Sequence, residues 1–349
     1  MNGYERIAAA LSGRPPETTN RRWQMILSYV VAGACLAWVL YNVHPRHFLR
    51  DVRHLRWHIV LLAIAADNAN YLSQGIRWSV LLQPIARIRV IKAIQATYVG
   101  LFTSNVLPMR FGEIVRAYLV SKWCCKKFSE IVPSMVIEHL FEGVWLALGI
   151  GMATVFVPMP SYVKRGAEVF GLGVILLAAF FFWALLRKHK PHIKGEEALR
   201  RKLTEKIGYF IKELSIGMKR IGISPRFFVA LGLTLFSLIC QVLALWFVAT
   251  AYGINLAVWR AAVVLVIIRV GVVIPSAPAN LGAYQFFAAL GMELLGGVGR
   301  ATATGFALIL FFVLMTPTWI TGFFALSQSG TTLFRLQHEA RDAAKSEEG

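Results

Sequence analysis

Long apolar runs separated by short polar segments dominate the chain. The first run, 23–41, follows a basic stretch and has no small-residue cleavage site after it, so it predicts a retained membrane helix. The later runs are 59–82, 91–107, 131–157, 169–186, 227–251, 258–274, 283–295 and 301–326. Since a membrane-spanning helix needs about 20 predominantly apolar residues, the pattern predicts an all-α polytopic membrane protein.

The composition agrees with lipid as the main solvent. Of 349 residues, 57% are hydrophobic and 16% are charged, which is too apolar for a water-soluble surface. The formal charge of +19 comes from 37 Lys and Arg against 18 Asp and Glu. Because such cations contact anionic headgroups in a membrane protein, we expect phospholipids as partners and not nucleic acid. The apolar runs leave no length for a large soluble catalytic domain.

Two of the apolar runs are interrupted in the same way. The third run stops at Pro108 and the seventh at Pro275, and a glycine-containing turn and a further helix-like stretch follow each proline. The second turn also contains Pro278 and Gly282. Interrupted hydrophobic segments at corresponding places in two halves are typical of transporters built from inverted repeats. The pattern therefore predicts two re-entrant helical hairpins.

Hairpins of this kind return to the side from which they start, so each half would contain three crossings. An odd number of crossings inverts the second half relative to the first. The predicted fold is six crossings plus two hairpins, in halves 23–157 and 167–326, or about eight spans. Most Lys and Arg then lie on the cytoplasmic side, together with the tails 1–22 and 327–349. We expect a multi-pass protein of the plasma (inner) membrane with both termini cytoplasmic.

Two basic segments add detail to this topology. Residues 195–222 place apolar and cationic positions at helical spacing, which predicts an amphipathic helix in the cytoplasmic interface. Arg46, Arg50, Arg53 and Arg56 lie between the first two crossings. They oppose the charge asymmetry, because the topology puts them on the outer side.

Polar side chains within the spans are candidates for function, because burying them in lipid is costly. Asp67, Tyr71 and Gln74 share one face of the second predicted helix, with Asn70 and Arg77 beside it. Two interpretations fit this stripe. It is either the wall of a polar cavity or a polar seam between packed helices.

The first interrupted helix carries a second group of polar residues. Asn105 precedes the break, and Arg110, Glu113 and Arg116 follow it around Gly112. A helix that starts at this turn would direct unpaired N–H groups into it, and with the two arginines these would hold an anion such as a lipid phosphate. In the structural alternative, Glu113 caps the helix and pairs with Arg116 or Arg110.

The next span and the second interrupted helix complete the candidate set. Glu138 and Glu142 share a helical face with His139 between them, where they would neutralise the hairpin arginines or bind a proton that drives transport. Arg269 lies inside an apolar run and needs a partner. That partner is either a translocating headgroup or one of Asp67, Glu138 and Glu142. The remaining candidates for substrate binding, in the second turn, are Asn280 and Gln285.

Motifs of enzyme and metal chemistry are missing from the sequence. There is no P-loop, no GxSxG and no HExxH. The four cysteines form no CxxC or Cys/His pattern; they are Cys35, Cys124, Cys125 and Cys240. We therefore expect a protein that is not an enzyme and has neither a metal site nor a cofactor.

Three stretches, 75–82, 105–116 and 274–282, resemble the transmembrane region of lysylphosphatidylglycerol synthase and its stand-alone, flippase-like relatives. The resemblance covers roughly residues 23–326. Its most specific part is the pattern Asn-x-x-Pro-x-x-x-Gly-Glu-x-x-Arg from Asn105 to Arg116. It implies a polytopic domain with a lipid cavity between re-entrant hairpins, which moves lipids between leaflets.

The sequence departs from the family pattern at three places. The family usually has glutamate at the position of Gln285, and an arginine and an aspartate at those of His139 and Glu142. Its second turn commonly reads Pro-Gly-Gly, where this chain has Pro-Ala-Asn. The resemblance does not extend to the soluble aminoacyltransferase domain, so lysyl transfer is not expected.

Three hypotheses follow for the function. The first is a lipid translocase that passes a headgroup through a polar cavity. The second is a membrane-embedded enzyme that acts on a lipid-linked substrate, with Glu113 or Glu138 as general base. The third is an accessory subunit that positions a lipid-modifying enzyme.

Overall fold

The computed structural model describes residues 52–106, 111–156, 172–173, 176, 224–272 and 278–329, with side chains for most of them. Several sequence predictions fall outside these residues. They concern the first span 23–41, most of the run 169–186, the amphipathic segment 195–222, the tails 1–22 and 327–349 (beyond Ser329), and the individual residues Pro108, Arg110 and Pro275.

The described part of the chain is helical and contains no strand. The first half contributes α1 (Trp57–Leu82), α2 (Val90–Val106), α3 (Gly112–Cys124) and α4 (Phe128–Phe156). The second half contributes α5 (Pro225–Ala251), α6 (Val258–Gly271), a 3₁₀ turn (Pro278–Asn280), α7 (Ala283–Leu295) and α8 (Arg300–Ser327). These bounds agree with the predicted apolar runs to within about three residues, because the runs end where proline, glycine or charged residues begin.

Three of the described helices are long and apolar enough to cross a membrane. They are the stretch Phe128–Gly151 of α4, the whole of α5 and the whole of α8. The structure thereby confirms the predicted all-α membrane protein. By contrast, α3 and α7 have 13 residues each. At 1.5 Å per residue each is roughly 20 Å long, which is shorter than the ~30 Å hydrocarbon core.

The helices on either side of each break fold back on one another. At the first break, a Cβ on Gly112 would lie 1.8 Å from the carbonyl oxygen of Gly100, so only glycine allows α3 to approach α2 this closely. At the second break, Gly271 of α6 lies under the ring of Phe287 in α7, where a Cβ would come within 2.1 Å of the ring. The helices that flank each break, α2 with α3 and α6 with α7, are therefore tightly packed against each other; each such pair is called a hairpin below.

The helix contacts repeat between the two halves. The most extensive pair is α1 with α5, which run antiparallel, and the hydroxyls of Ser73 and Ser237 meet between them at 3.0 Å. The first arm of each hairpin packs on the last helix of the other half, α2 on α8 and α6 on α4. Every such pair between the described helices has its counterpart when α1–α4 are exchanged with α5–α8.

Each half also has its own hydrophobic core. One surrounds Trp78 and Phe141 in the first half, and the other surrounds Phe306 and Leu310 in the second. α1 takes part in both cores, since Val60 near its start belongs to the second. Polar side chains of α1 and α5 contact one another along the seam where these two helices meet.

Candidate functional site

A buried ion network is centred on Glu138 of α4. Its Oε1 accepts a hydrogen bond from Nη2 of Arg77, and its Oε2 accepts one from Nη2 of Arg116 at 2.7 Å. Arg77 is 0% exposed and Glu138 is 2% exposed. A carboxylate and two guanidinium groups at this depth stabilise one another, and removal of any one leaves an uncompensated buried charge.

The network reaches α5 through Arg77. Nη1 of Arg77 donates to the hydroxyl of Thr234 in α5 at 3.2 Å, and Nη2 of Arg77 also contacts Oε1 of Glu142 at 2.8 Å. Glu138 and Glu142 both reach Arg77 because the four-residue spacing puts them on one face of α4. Two arginines and two glutamates give the network no net formal charge.

Arg116 is also held by an aromatic ring. Its guanidinium carbon lies 4.4 Å from the centre of the Trp78 ring, and the Trp78 indole N–H donates to the hydroxyl of Ser134 at 3.1 Å. Trp78 itself is fully buried. A stacked cation of this kind contributes about 0.5–2 kcal/mol, so Arg116 is fixed by a carboxylate on one side and by an indole on the other.

The edge of the network at Glu142 is partly exposed. The side chain of Glu142 is 34% exposed, and Nε2 of His139 lies 2.9 Å from Oε2 of Glu113. In the structural alternative for the first break, Glu113 pairs with Arg116 or Arg110. Arg116 pairs with Glu138, and the alternative pairing with Arg110 lies outside the described residues.

Arg269 of α6 has a different kind of partner. Its Nη2 donates to Oε1 of Gln241 in α5, and Nε2 of Gln241 donates to Oδ1 of Asn70 at 2.9 Å. The same oxygen of Asn70 accepts from Gln74 at 3.0 Å. No carboxylate of the described helices lies within ion-pair distance of Arg269, so its predicted pairing with a buried acid is not formed. A neutral amide chain therefore holds a half-buried cation.

A cavity of about 80 Å³ joins this arginine to the ion network. It lies between α1, α4, α5 and α6, and both halves of the chain contribute to its wall. Positive charge comes from Arg77 and Arg269, negative charge from Glu142, and the remaining polar groups from α5. The lining residues are Arg77, Glu142, Gly143, Leu146, Thr234, Ser237, Leu238, Gln241 and Arg269.

Asp67 lies on α1 at 4% exposure. Its Oδ2 has no hydrogen-bond partner in the described part of the chain. Arg269 interacts electrostatically with Asp67 and with Glu142, although its hydrogen bond goes to Gln241. Asp67 is thus a buried acid with an unsatisfied oxygen, near a cation with a neutral partner.

The other predicted residues lie elsewhere. Nδ2 of Asn105 is 3.8 Å from the sulfur of Met315, and Asn280 occupies the left-handed region (φ 52°) of the 3₁₀ turn. Oε1 of Gln285 accepts a hydrogen bond from the backbone N–H of Gly282 at 2.7 Å and so caps the start of α7. Gly282 has φ 84°, a conformation that glycine adopts without strain. Asn105 thus contacts α8, Asn280 and Gln285 belong to the second turn and the helix start that follows it, and none of the three lines the cavity.

Sequence reasoning missed the contribution of α5. Thr234, Ser237 and Gln241 all contact α1 or α6 through their side chains. Their spacing of three and four residues within an otherwise apolar run was the signal that could have found them. Among the described residues no group of three His, Cys, Asp or Glu side chains is arranged to hold a metal ion.

Comparison with known proteins assigns the chain to a family. Residues 25–322 match the family model described as the lysylphosphatidylglycerol synthase TM region. The chain belongs to this family. The match confirms the resemblance drawn from residues 75–82, 105–116 and 274–282, and the matched range includes all the residues that line the cavity.

A curated relative has the same extent. The chain is 23% identical over 312 residues to a protein described as a UPF0104 membrane protein from Methanothermobacter thermautotrophicus, with 84% of this chain and 89% of the relative covered. No solved structure matches. This chain is therefore a membrane protein of a lipid-related family. The relative matches it over most of the length of both chains.

Proposed function

We propose that this protein moves phospholipids between the leaflets of the plasma membrane, with the headgroup in the polar cavity and the acyl chains in lipid. The observation that carries the proposal is Arg269, a half-buried cation whose hydrogen bond goes to the amide of Gln241. A neutral partner leaves the positive charge available to a lipid phosphate. Arg77 and Arg116 are not available in this way, because carboxylates already hold them.

The hairpins support an inverted repeat with re-entrant arms. α3 and α7 are too short to cross the hydrocarbon core, and each packs on the helix before its break. The tip of the second hairpin, Pro278–Asn280, contacts α2 of the first. Two broken helices that meet inside the protein keep their unpaired backbone groups away from lipid, and such breaks form the substrate site of many transporters.

The distribution of lysines supports cytoplasmic termini. Four exposed lysines lie at the end of the molecule that contains the α1–α2 and α3–α4 connections; they are Lys92, Lys122, Lys126 and Lys127. The positive-inside rule assigns that end to the cytoplasm. With six crossings and two hairpins, both termini lie on the same side.

Transport without chemistry fits the glutamates better than an enzyme does. A general base needs an oxygen that can accept a proton from the substrate. Both oxygens of Glu138 accept hydrogen bonds from arginines, and Glu113 contacts His139. We therefore retain the translocase and propose no catalytic role for either residue.

The ion network determines which arginine is the best one to mutate in a test of the site. Neutralisation of Arg116 would remove a partner of buried Glu138, so loss of activity would be confounded with loss of folding. Arg110 lies outside the described residues. Arg269 is the better probe, because its hydrogen bond goes to a neutral amide and no carboxylate of the described helices lies within ion-pair distance of it.

The test is lipid translocation in proteoliposomes, with NBD-labelled phosphatidylglycerol and dithionite quenching of the outer leaflet. Arg269→Gln should lower the initial rate at least about tenfold, the size of effect expected when a charged contact worth about 1.4 kcal/mol is lost. Arg260→Gln is the matched control, since Arg260 lies on the exposed start of the same helix. Equal rates for wild type and Arg269→Gln would disprove the assignment of the site.

A further inference from the structure

Asp67 is a buried carboxyl group that the translocase proposal leaves without a role. It lies at the centre of α1 with 4% exposure, and the structure gives its Oδ2 no donor. An ionised carboxylate in this position costs free energy unless a cation or donor reaches it. A protonated carboxyl group avoids that cost. Asp67 therefore has two chemical states whose balance depends on the nearest cation.

The arginine assigned to the substrate is connected to this part of α1. Asn70, three residues after Asp67, accepts a hydrogen bond from Gln241, which in turn accepts one from Arg269. Arg269 interacts electrostatically with Asp67 from α6, while its hydrogen bond goes to Gln241. When no lipid is present, its charge favours the ionised form of Asp67. A lipid phosphate bound to Arg269 would neutralise that charge, and the ionised carboxylate would then have no compensating cation.

The other groups of the described helices that interact with Asp67 do not supply a compensating positive charge. The tyrosine hydroxyls and the thiol are uncharged at neutral pH unless strongly perturbed. Glu142 of α4 interacts with Arg269 but is already paired with Arg77. Within the described helices, the titratable and charged groups that interact with Asp67 are Tyr71 of α1, Tyr98 of α2, Cys240 of α5, Arg269 of α6 and Tyr284 of α7.

We propose that Asp67 takes up a proton when a lipid phosphate binds Arg269, so that headgroup binding and protonation are linked. The proton comes from water, forms an O–H bond on the Asp67 carboxylate, and returns to water when the phosphate leaves. The cavity then carries the same net charge with and without the anionic headgroup. This inference rests on the proposed function, because it uses the same arginine, and it names a proton as the coupled ion.

The sign of the pH dependence follows from this linkage. If the bound state holds one more proton than the free state, affinity for the phosphate increases as pH falls, by up to about tenfold per pH unit. Removal of the Asp67 carboxyl group alone tests whether this residue is the source of the pH dependence.

The test measures binding of NBD-phosphatidylglycerol to the full-length protein in nanodiscs of phosphatidylcholine over a series of pH values. Wild type should bind more tightly at lower pH, with a slope of up to one decade per pH unit. Asp67→Asn, which keeps the side-chain shape, should bind with a slope near zero. Glu293→Gln is the control, because Glu293 pairs with Arg300 at the start of α8 and should retain the wild-type slope.

Infrared difference spectroscopy supplies a second measurement that does not depend on affinity. Addition of the lipid to wild type should produce the C=O band of a protonated carboxyl group, and Asp67→Asn should lack that band. A wild-type slope retained by Asp67→Asn, a wild-type slope of zero, or absence of the band would each overturn the proton link. If binding depends on pH but the protein does not translocate lipid, the proposed function is wrong and the proton link stands. If the protein translocates lipid but binding does not depend on pH, the proton link is wrong and the proposed function stands.

Discussion

The Glu138 network and the Arg269 cavity are neighbours that use arginine in opposite ways. In the network, Arg77 and Arg116 contact carboxylates and are almost fully buried. In the cavity, Arg269 is half-buried and contacts an amide. The comparison separates two roles for buried charge. Paired charges fix helices against each other, and a cation with a neutral partner remains able to bind an anion.

The two hairpins differ in the same sense. Arg116, on the second arm of the first hairpin, is tied to α4 through Glu138 and stacks on Trp78 of α1. Arg269, on the first arm of the second hairpin, donates a hydrogen bond to the uncharged Gln241 of α5 and forms no ion pair within the described helices. We therefore expect the first hairpin to be the more rigid of the two and the second to respond to substrate.

The largest expected effect is on stability, from Glu138→Gln. This change leaves Arg77 and Arg116 without their shared carboxylate, and breaking a buried pair costs about 3–5 kcal/mol. Thermal unfolding in detergent should show a large decrease in the midpoint. Glu142→Gln is the matched comparison. Because the Glu142 side chain is 34% exposed, this substitution should lower the free energy of unfolding by only about 1 kcal/mol. Equal midpoints for Glu138→Gln and wild type would show that the network is not structural.

An effect smaller than that of Glu138→Gln is expected at the turn of the second hairpin. Gln285→Ala removes the acceptor for the Gly282 N–H and should destabilise α7 by about 0.5–2 kcal/mol, as loss of a helix cap does. Gln285→Glu keeps an acceptor oxygen and should unfold at the wild-type temperature. If Gln285→Glu instead destabilised the protein as much as Gln285→Ala, the cap would not explain this position.

The cap also accounts for one departure from the family pattern. A glutamate at position 285 could accept the same hydrogen bond from Gly282, so amide and carboxylate are interchangeable for this purpose. The sequence proposed Gln285 for substrate binding because it follows the broken helix. Its side chain is instead directed to its own helix start.

Helix positions could be predicted from the sequence, because apolar length and proline breaks act locally. The bounds of α7 were predicted to the residue, and α6 ends three residues before the predicted limit. The predicted pairing of Glu138 and Glu142 with an arginine of the first break is formed by Glu138 and Arg116. The other partners could not be predicted, since pairing depends on which helices meet. The i, i+4 spacing of Glu138 and Glu142 gave a shared face but not the identity of Arg77 as their common partner.

The polar groups of α5 show the same limit. Thr234, Ser237 and Gln241 face α1 because the two helices run antiparallel along the seam between the cores. From one sequence, three uncharged polar residues in an apolar run are equally compatible with helix packing alone. The cavity can be recognised only from the structure, in which Arg269 contacts Gln241.

The most direct test of the account is Gln241→Glu, which gives Arg269 the carboxylate partner that it lacks. We predict that the initial rate of NBD-phosphatidylglycerol translocation falls at least about tenfold, while the protein unfolds at or above the wild-type temperature. Gln241→Met, which removes the hydrogen bond without adding charge, should retain more of the rate. If folded Gln241→Glu translocates lipid at the wild-type rate, this contradicts the claim that an arginine with a neutral partner binds the lipid phosphate.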